Sequence, residues 1–140
     1  MNKIMRTTPV RDSWLRFSVL RHTKYPGKEN HYDIVLEVQD GQDSEEVALV
    51  KFETTNRLGS REMSVNHQGM VRRRYLEYVG PMSGDRGKVR RVDSGVYRYT
   101  PLDKIEFKGK ALSGEYVFDE GAPCRELRSI KDAWLLLKVA

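Results

Sequence analysis

Two histidines and an aspartate near the start of the chain have side chains that could bind one metal ion together. His31 and Asp33 are two residues apart in a stretch of alternating polar and apolar residues, which is typical of a β-strand. Residues two apart in a strand point to the same face, with their Cα atoms about 6.6 Å apart. If the preceding stretch pairs with this one as an antiparallel hairpin, His22 ends one strand where His31 begins the next. Two imidazoles and a carboxylate at one place suit zinc, manganese or iron.

The same spacing also has a purely structural interpretation. A half-buried histidine beside an aspartate is often only a hydrogen-bonded pair, and His-x-Asp occurs frequently by chance. Taken alone, the spacing of His31 and Asp33 therefore leaves a metal site and a structural pair both open.

The basic residues of the chain are concentrated in one segment. The net charge is +5, and between positions 70 and 91 seven basic residues are opposed only by Glu77 and Asp85. Such a stripe favours an anionic partner, most often nucleic acid, although basic side chains on a sheet edge also discourage aggregation. The seven residues are Arg72, Arg73, Arg74, Arg86, Lys88, Arg90 and Arg91.

Short alternating runs separated by turn residues predict the elements that position these groups. Residues 54–70 show no sustained period and predict a loop or a short helix, while Asp93-Ser94-Gly95 predicts a hairpin turn. So many short strands usually form a barrel or a sandwich, and closure is favoured because it removes exposed edges. We therefore expect a compact, closed or nearly closed antiparallel β-barrel of about eight strands with few or no helices. Strands are expected at residues 15–22, 31–39, 47–53, 73–79, 88–93, 96–100, 104–107, 112–118 and 133–139.

Length and composition limit the class of protein. A chain of 140 residues corresponds to one domain, which we expect over 15–140 with residues 1–14 as a flexible arm. The single cysteine, Cys124, excludes an internal disulfide and a four-cysteine zinc site. No long apolar run and no secretion signal are evident, so we expect a cytoplasmic protein that does not span a membrane. Trp14 and Trp134 are expected in the core.

Several segments, taken in order, resemble a known family. The first is the strand that ends in His22, followed by His-Tyr-Asp and Leu-Glu in the next strand. After it come the runs YLEYVGPMSGDRGKVRRVDSGVY, IEFKGKALSGEYVF and WLLLK. Together, from about Arg16 to Lys138, the chain resembles the 3′-phosphoesterase domain of bacterial DNA ligase D, and more closely its small stand-alone relatives.

The resemblance implies a fold, a cofactor and a reaction. It implies an antiparallel β-barrel that uses a divalent metal, typically manganese, with zinc also possible. It implies trimming of DNA or RNA-DNA primer 3′ ends, first of a terminal ribonucleoside and then of the 3′-phosphate, and a repair ligase or polymerase as a possible partner. His22, His31 and Asp33 match the family's metal ligands, and Tyr75 matches a tyrosine near the phosphate.

Three positions depart from the family pattern. Val35 stands where the ligase-linked enzymes have an arginine that contacts phosphate, and Leu20 stands where glutamine is common. A further histidine is expected at position 71, which is Val71 here, while His67 lies four residues earlier. Metal binding is therefore better supported by the sequence than catalysis is.

The implied reaction is metal-assisted phosphoester hydrolysis. Arg74 and Arg86 would neutralise charge on the phosphate, and His67 is a candidate general acid or base. Two alternatives remain: a nucleic-acid-binding module that has lost catalysis, and an interaction domain that docks on a repair ligase or polymerase through its acidic loop 43–46 or its apolar rim. The residues expected to hold the nucleic-acid backbone without reading bases are Arg72, Arg73, Lys88, Arg90 and Arg91.

Overall fold

The computed structural model describes residues 14–37, 49–71, 73–100, 104–119 and 133–139. Within these ranges the chain forms nine β-strands and one short 3-10 helix, Arg73–Leu76. No helix in this part of the chain is long and apolar enough to cross a bilayer. The strands are β1 Trp14–Thr23, β2 His31–Glu37, β3 Leu49–Thr54, β4 Glu62–Val71, β5 Gly80–Pro81, β6 Lys88–Thr100, β7 Lys104–Lys108, β8 Ser113–Asp119 and β9 Ala133–Lys138.

The sheet closes on itself through its first strand. The strand order is β1-β2-β3-β4-β9-β8-β7-β6-β5, and β1 also pairs with β6. Eight antiparallel strands therefore form a closed barrel, and the two-residue β5 is an additional strand that pairs with β6. The predicted fold class, an antiparallel barrel of about eight strands, is confirmed. Closure leaves no exposed edge in the ring of eight strands.

The barrel interior holds the main hydrophobic core. Every strand of the closed ring contributes at least one buried side chain, because alternate residues of each strand point inward. Aromatic rings meet edge to face, with ring centroids 5.1 Å apart for Phe17 and Phe107. The cluster comprises Phe17, Val19, Ile34, Leu36, Val50, Phe52, Met63, Val65, Tyr97, Ile105, Phe107, Leu112, Tyr116 and Leu136.

A second, smaller apolar cluster lies on the outside of the barrel wall. Val35 and Leu49 alternate with core residues of β2 and β3, so they face outward, and Leu76 of the 3-10 helix packs on them. The Ser18 hydroxyl donates a hydrogen bond to the Leu76 carbonyl and joins the helix to β1. The 3-10 helix therefore covers part of the outer face formed by β1, β2 and β3.

Residues 54–70, expected to form a loop or a short helix, instead contain most of β4. This strand pairs with β3 and β9 and places Met63 and Val65 in the core. The β3–β4 register shifts between Lys51 and Phe52, so that Gln68 of β4 has no residue opposite it. Such a bulge interrupts the two-residue period, which explains why the sequence pattern did not predict a strand here.

Two other expectations about local structure were wrong. The segment after Arg73 is a 3-10 helix rather than a strand, because Leu76 packs onto the outer cluster and Tyr78 N–H donates to the Arg74 carbonyl at 2.9 Å. Residues 93–95 do not form a hairpin turn. They lie within β6, and each of them pairs with a residue of β1. Asp93 instead accepts hydrogen bonds from backbone N–H groups of residues 110–112.

The side chain of Trp14 is not in the core. It is 37% exposed, and the cationic groups of Arg98 and Lys108 lie 4.6 and 4.3 Å from its ring centroid. The prediction that Trp14 is a core residue was therefore wrong. Cys124, the acidic loop 43–46 and residues 1–13 of the expected arm lie outside the described residues, as does the side chain of Trp134.

Candidate metal centre

The β1–β2 hairpin brings His22, His31 and Asp33 together. His22 pairs with His31. Asp33 pairs with Leu20, two residues further from the turn in each strand, and therefore lies on the same face as the histidines. One ligand atom from each of the three residues lies within 4.8 Å of the others. All three side chains are buried. A buried group of two imidazoles and a carboxylate with this spacing could hold a metal ion.

The three side chains lie on the outer face of the barrel wall. Leu20 and Val35 share that face, while their neighbours Val19 and Ile34 point into the core. The group therefore does not open into the barrel interior. It is covered instead by the segment that contains the 3-10 helix and the β5–β6 hairpin, since the Arg86 carbonyl contacts the His22 ring.

A backbone carbonyl fixes the protonation of the His22 ring. The Nε2 atom of His22 lies 2.6 Å from the Arg86 carbonyl oxygen, and because a carbonyl can only accept, Nε2 carries the proton. In a neutral ring the other nitrogen, Nδ1, then has a lone pair. This Nδ1 faces Asp33 Oδ2 at 3.0 Å.

His31 is fixed in the same way from the other side. Its Nδ1 donates to the Glu29 carbonyl at 2.9 Å, which leaves Nε2 with the lone pair in a neutral ring. Nε2 lies 3.1 Å from Asp33 Oδ1 and 3.4 Å from Glu53 Oε1, but it is not aligned for a hydrogen bond to either. Among the described residues, His31 Nε2 and Asp33 Oδ1 are buried polar atoms without a hydrogen-bond partner.

Two imidazole nitrogens and a carboxylate thus converge with no donor between them when both rings are neutral. These atoms gain a partner either when the rings take up additional protons or when a shared cation binds between them. Metal-binding histidines usually donate their second ring N–H to a carbonyl or a carboxylate, as His22 and His31 do here. The orphaned atoms and the two fixed rings therefore fit a metal ion.

The ionisation of Asp33 and His31 reflects their proximity. Burial alone would raise the pKa of Asp33, but contacts with His22 and His31 and the nearby charge of Lys51 outweigh it and hold this pKa well below its usual range. Burial alone would lower the pKa of His31, but its contacts with Asp33, the Glu29 carbonyl and Glu53 outweigh it and raise this pKa. Asp33 is therefore an anion at neutral pH.

The glycine-rich loop between β5 and β6 holds the Arg86 carbonyl in place. Met82 N–H donates to the Gly87 carbonyl at 2.7 Å and closes the loop. Gly87 has φ +79°, and a Cβ atom there would overlap the Thr23 carbonyl oxygen of β1. Only glycine permits this close approach, so Gly87 fixes the loop against the hairpin that carries His22.

A small cavity of about 90 Å³ is lined by one of the three residues, Asp33. Lys51, Arg86 and Tyr75 also line it, but the Arg86 guanidinium group donates to the Ser83 carbonyl and hydroxyl at 2.7 and 2.8 Å. A larger cavity, of about 580 Å³, is lined by Tyr32 and by residues around Arg57, and none of the three candidate ligands lines it. The smaller cavity is therefore the one that belongs to the candidate metal centre.

The other predicted site residues are distributed around this region. Tyr75 lines the small cavity, and Arg74 stacks over the Tyr75 and Tyr78 rings at 5.1 and 5.8 Å from their centroids. His67 lies in β4 opposite Phe52, but its side chain is outside the described part of the chain, as are the side chain of Arg73 and all of Arg72. The three basic residues of β6 beside the site, all exposed, are Lys88, Arg90 and Arg91.

Sequence reasoning missed several groups that complete the site. Glu53 pairs with Asp33 across β2 and β3, and Lys51 lies within 4.0 Å of both carboxylates. The β2–β3 register decides this contact, and it could not be predicted without pairing the two strands. The backbone carbonyls of Glu29 and Arg86 were also missed, because a main-chain contact leaves no signal in residue type.

The chain matches no protein-family model and no curated protein.

Proposed function

We propose that this protein binds a divalent metal through His22, His31 and Asp33 and uses it to hydrolyse phosphoesters. One observation carries the proposal: both imidazoles have one nitrogen committed to a backbone carbonyl and the other directed at the same carboxylate. A structural His–Asp pair needs only one ring and one donor. Two rings fixed in this way, with an orphaned nitrogen and an orphaned oxygen, match the needs of a metal site.

The groups around the small cavity support a phosphate as the substrate group. A bound ion would polarise a phosphoryl oxygen and lower the pKa of a water molecule. Lys51 provides positive charge for the non-bridging oxygens, and Tyr75 lines the same space. The cavity volume of about 90 Å³ suits a single phosphoryl group rather than a whole nucleotide, so the rest of the substrate would lie outside.

The resemblance to the phosphoesterases of bacterial DNA ligase D supplies the nature of the substrate. We infer 3′ ends of DNA or RNA-DNA primers as the substrate and manganese as the metal. The exposed basic residues of β6 support this choice, because β6 runs beside the strand that carries His22. They are Lys88, Arg90 and Arg91.

The direct test is phosphate release from a 3′-phosphorylated primer. We expect product with Mn²⁺, none with chelator, and at least a 100-fold loss in His31→Ala, because the metal would be lost. The exposed Glu62 is the control, and Glu62→Gln should keep the activity of the unchanged protein. Absence of Mn²⁺ binding by the unchanged protein would overturn the metal proposal, whereas Mn²⁺ binding without turnover would overturn the hydrolase alone.

A second candidate function, a nucleic-acid-binding module without catalysis, is favoured by Val35. This position, where the resembling enzymes have a phosphate-contacting arginine, is buried in the outer apolar cluster with Leu49 and Leu76. The position therefore serves packing in this chain. A binding module predicts salt-sensitive DNA binding that is unchanged by chelator and by His31→Ala. Metal-dependent turnover would exclude this alternative.

A further inference from the structure

Glu53 lies beside the candidate metal centre without belonging to the predicted ligand set. It stands directly opposite Asp33 in the β2–β3 ladder, and its Oε1 is 3.4 Å from the lone-pair nitrogen of His31. The Glu53 side chain is only 12% exposed. The nitrogen that it approaches is buried and has no hydrogen-bond partner among the described residues. Glu53 therefore faces an unsatisfied atom of the site.

The distances between these atoms match those between neighbouring ligands of one ion. With bonds of about 2.1 Å, neighbouring ligand atoms are about 3.0 Å apart in an octahedron and about 3.4 Å apart in a tetrahedron. Asp33 Oδ2 lies 3.0 Å from His22 Nδ1, and Asp33 Oδ1 lies 3.1 Å from His31 Nε2. Glu53 Oε1 lies 3.4 Å from the same His31 nitrogen. Glu53 therefore lies next to this group, outside the three residues whose ligand atoms are all within 4.8 Å of one another, and a turn of its side chain would bring it to the ion.

From this geometry we propose that Glu53 is a fourth protein ligand, so that the centre consists of two imidazoles and two carboxylates. This inference rests on the proposed metal site and extends it. Two carboxylates neutralise a divalent cation completely, whereas Asp33 alone leaves one positive charge. Additional oxygen ligands favour a six-coordinate ion such as Mn²⁺ over Zn²⁺, which is satisfied by three protein ligands and a water.

Lys28 holds the same carboxylate from the solvent side. Its Nζ lies 2.6 and 2.8 Å from the two oxygens of Glu53, while Lys51 is 4.0 Å from Oε1. Lys28 occupies the loop between β1 and β2 and is exposed, so it is free to move away when Glu53 turns to the ion. Lys28 and the metal thus compete for one carboxylate, and Lys28 weakens metal binding.

Metal titration of Glu53→Gln tests the ligand role. We expect the Kd for Mn²⁺, measured by calorimetry and by Mn²⁺ electron paramagnetic resonance, to rise about tenfold to 100-fold, and the Kd for Zn²⁺ to rise much less. A residue that acts only through its charge would weaken both ions equally. Glu62→Gln makes the same change at an exposed site and should leave both affinities unchanged. Thermal melting verifies that each variant is folded.

Lys28→Met tests the competition and should act in the opposite direction. Mn²⁺ affinity should increase severalfold in the unchanged background and remain constant in the Glu53→Gln background, because Lys28 acts through Glu53. An equal increase in both backgrounds would overturn the competition. Equal Mn²⁺ affinity of the unchanged protein and Glu53→Gln, with binding abolished in His31→Ala, would overturn the fourth ligand but keep the proposed function. No Mn²⁺ binding by the unchanged protein would overturn both.

Discussion

At the scale of single residues, the site is defined by which atoms carry protons. His22 and His31 each give one ring N–H to a backbone carbonyl, and Asp33 is held as an anion between their other nitrogens. Protons and a bound metal ion would therefore compete for the same nitrogens. A site of this kind responds to pH in opposite directions with and without metal.

The pH dependence of stability follows from the pKa of His31. This pKa is raised in the folded protein, so protonated His31 contributes stability that is complete below its unfolded value of about 6.5 and is lost as pH rises through the raised value. The lowered pKa of Asp33 contributes stability above about pH 4 that is lost as pH falls further. In the metal-free protein, His31 and Asp33 should therefore contribute most to the free energy of unfolding between about pH 4 and 6.5.

Urea unfolding with chelator at pH 5.5 and pH 8.5 measures the effect. The stability advantage of the unchanged protein over His31→Gln should be larger at pH 5.5, because His31 is protonated there. Comparing the two proteins at each pH cancels the effect of the other titrating groups. With saturating Mn²⁺ the advantage should be larger at pH 8.5, since protons no longer compete. A metal-free advantage that grows with pH would contradict the assignment.

At the scale of elements, the site depends on the contact between two hairpins. The β1–β2 hairpin carries the candidate ligands, and the β5–β6 hairpin brings the Arg86 carbonyl onto His22. Gly87 makes that contact possible, because its missing side chain leaves room for the Thr23 carbonyl. The geometry of the site is therefore set partly by a residue that has no polar side chain.

Gly87→Ala should lower both stability and metal affinity. Gly27 provides a matched control, since it has nearly the same φ, +78° against +79°, but a methyl group added there would have nothing within 4 Å of it. Gly27→Ala should cost about 1–2 kcal/mol from backbone strain alone. Gly87→Ala should cost about 1–3 kcal/mol more, from the clash, and weaken Mn²⁺ binding about tenfold. Equal losses in denaturant unfolding and unchanged Mn²⁺ affinity would contradict this role.

Asp93 is a second residue that connects two elements, and it is expected to affect stability but not metal binding. Its carboxylate accepts hydrogen bonds of 2.8–3.0 Å from the N–H groups of residues 110–112 and so fixes the turn between β7 and β8. Asp93→Ala removes the acceptor of all three, one of them buried, and should cost about 3 kcal/mol or more. Asp93→Asn should cost less, because an amide oxygen still accepts. Mn²⁺ affinity, measured well below the melting temperature, should be unchanged in both variants.

At the scale of the whole molecule, the barrel provides a rigid wall and the site lies on its outside. The interior is filled by apolar side chains, and the candidate ligand-binding groups lie on the outer face of β1, β2 and β3 and on the segment that covers it. Arg91 of β6 pairs with Leu20 and extends this face beside the site, whereas Lys88 and Arg90 pair with Thr23 and Arg21 on the opposite face. A long anionic chain can therefore reach the site without entering the barrel.

Neutralising the basic residues of β6 should change the salt dependence of DNA binding. Replacing Lys88, Arg90 and Arg91 by glutamine should reduce the slope of log K against log salt by about 0.9 for each phosphate that is no longer neutralised, and by at most about 2.7. Mn²⁺ affinity should remain unchanged, because these side chains are exposed and outside the ligand set. Filter binding or anisotropy at several salt concentrations measures the slope, and an unchanged slope would remove β6 from the DNA surface.

The fold and the central group could be predicted from the sequence because both follow from local alternation. Two strands joined by a short loop have few possible registers, so the meeting of His22 and His31 followed from their positions. Glu53 could not be placed, since its position depends on the register of β2 with β3. β4 was missed because the bulge at Gln68 interrupts its period, and the hairpin at Asp93 was wrongly predicted because its carboxylate serves a distant turn.

Main-chain orientation of both imidazoles has a consequence for how this protein changes over evolutionary time. Every amino acid has a carbonyl, so replacing Glu29 or the side chain of Arg86 leaves the oxygen that accepts from His31 or His22 in place. The residue types at these two positions can therefore change during evolution, because the backbone carbonyls alone keep both rings in their orientation. In an alignment of related sequences, the constraint would appear as a conserved glycine at the neighbouring position 87, because only glycine permits the close approach to the Thr23 carbonyl.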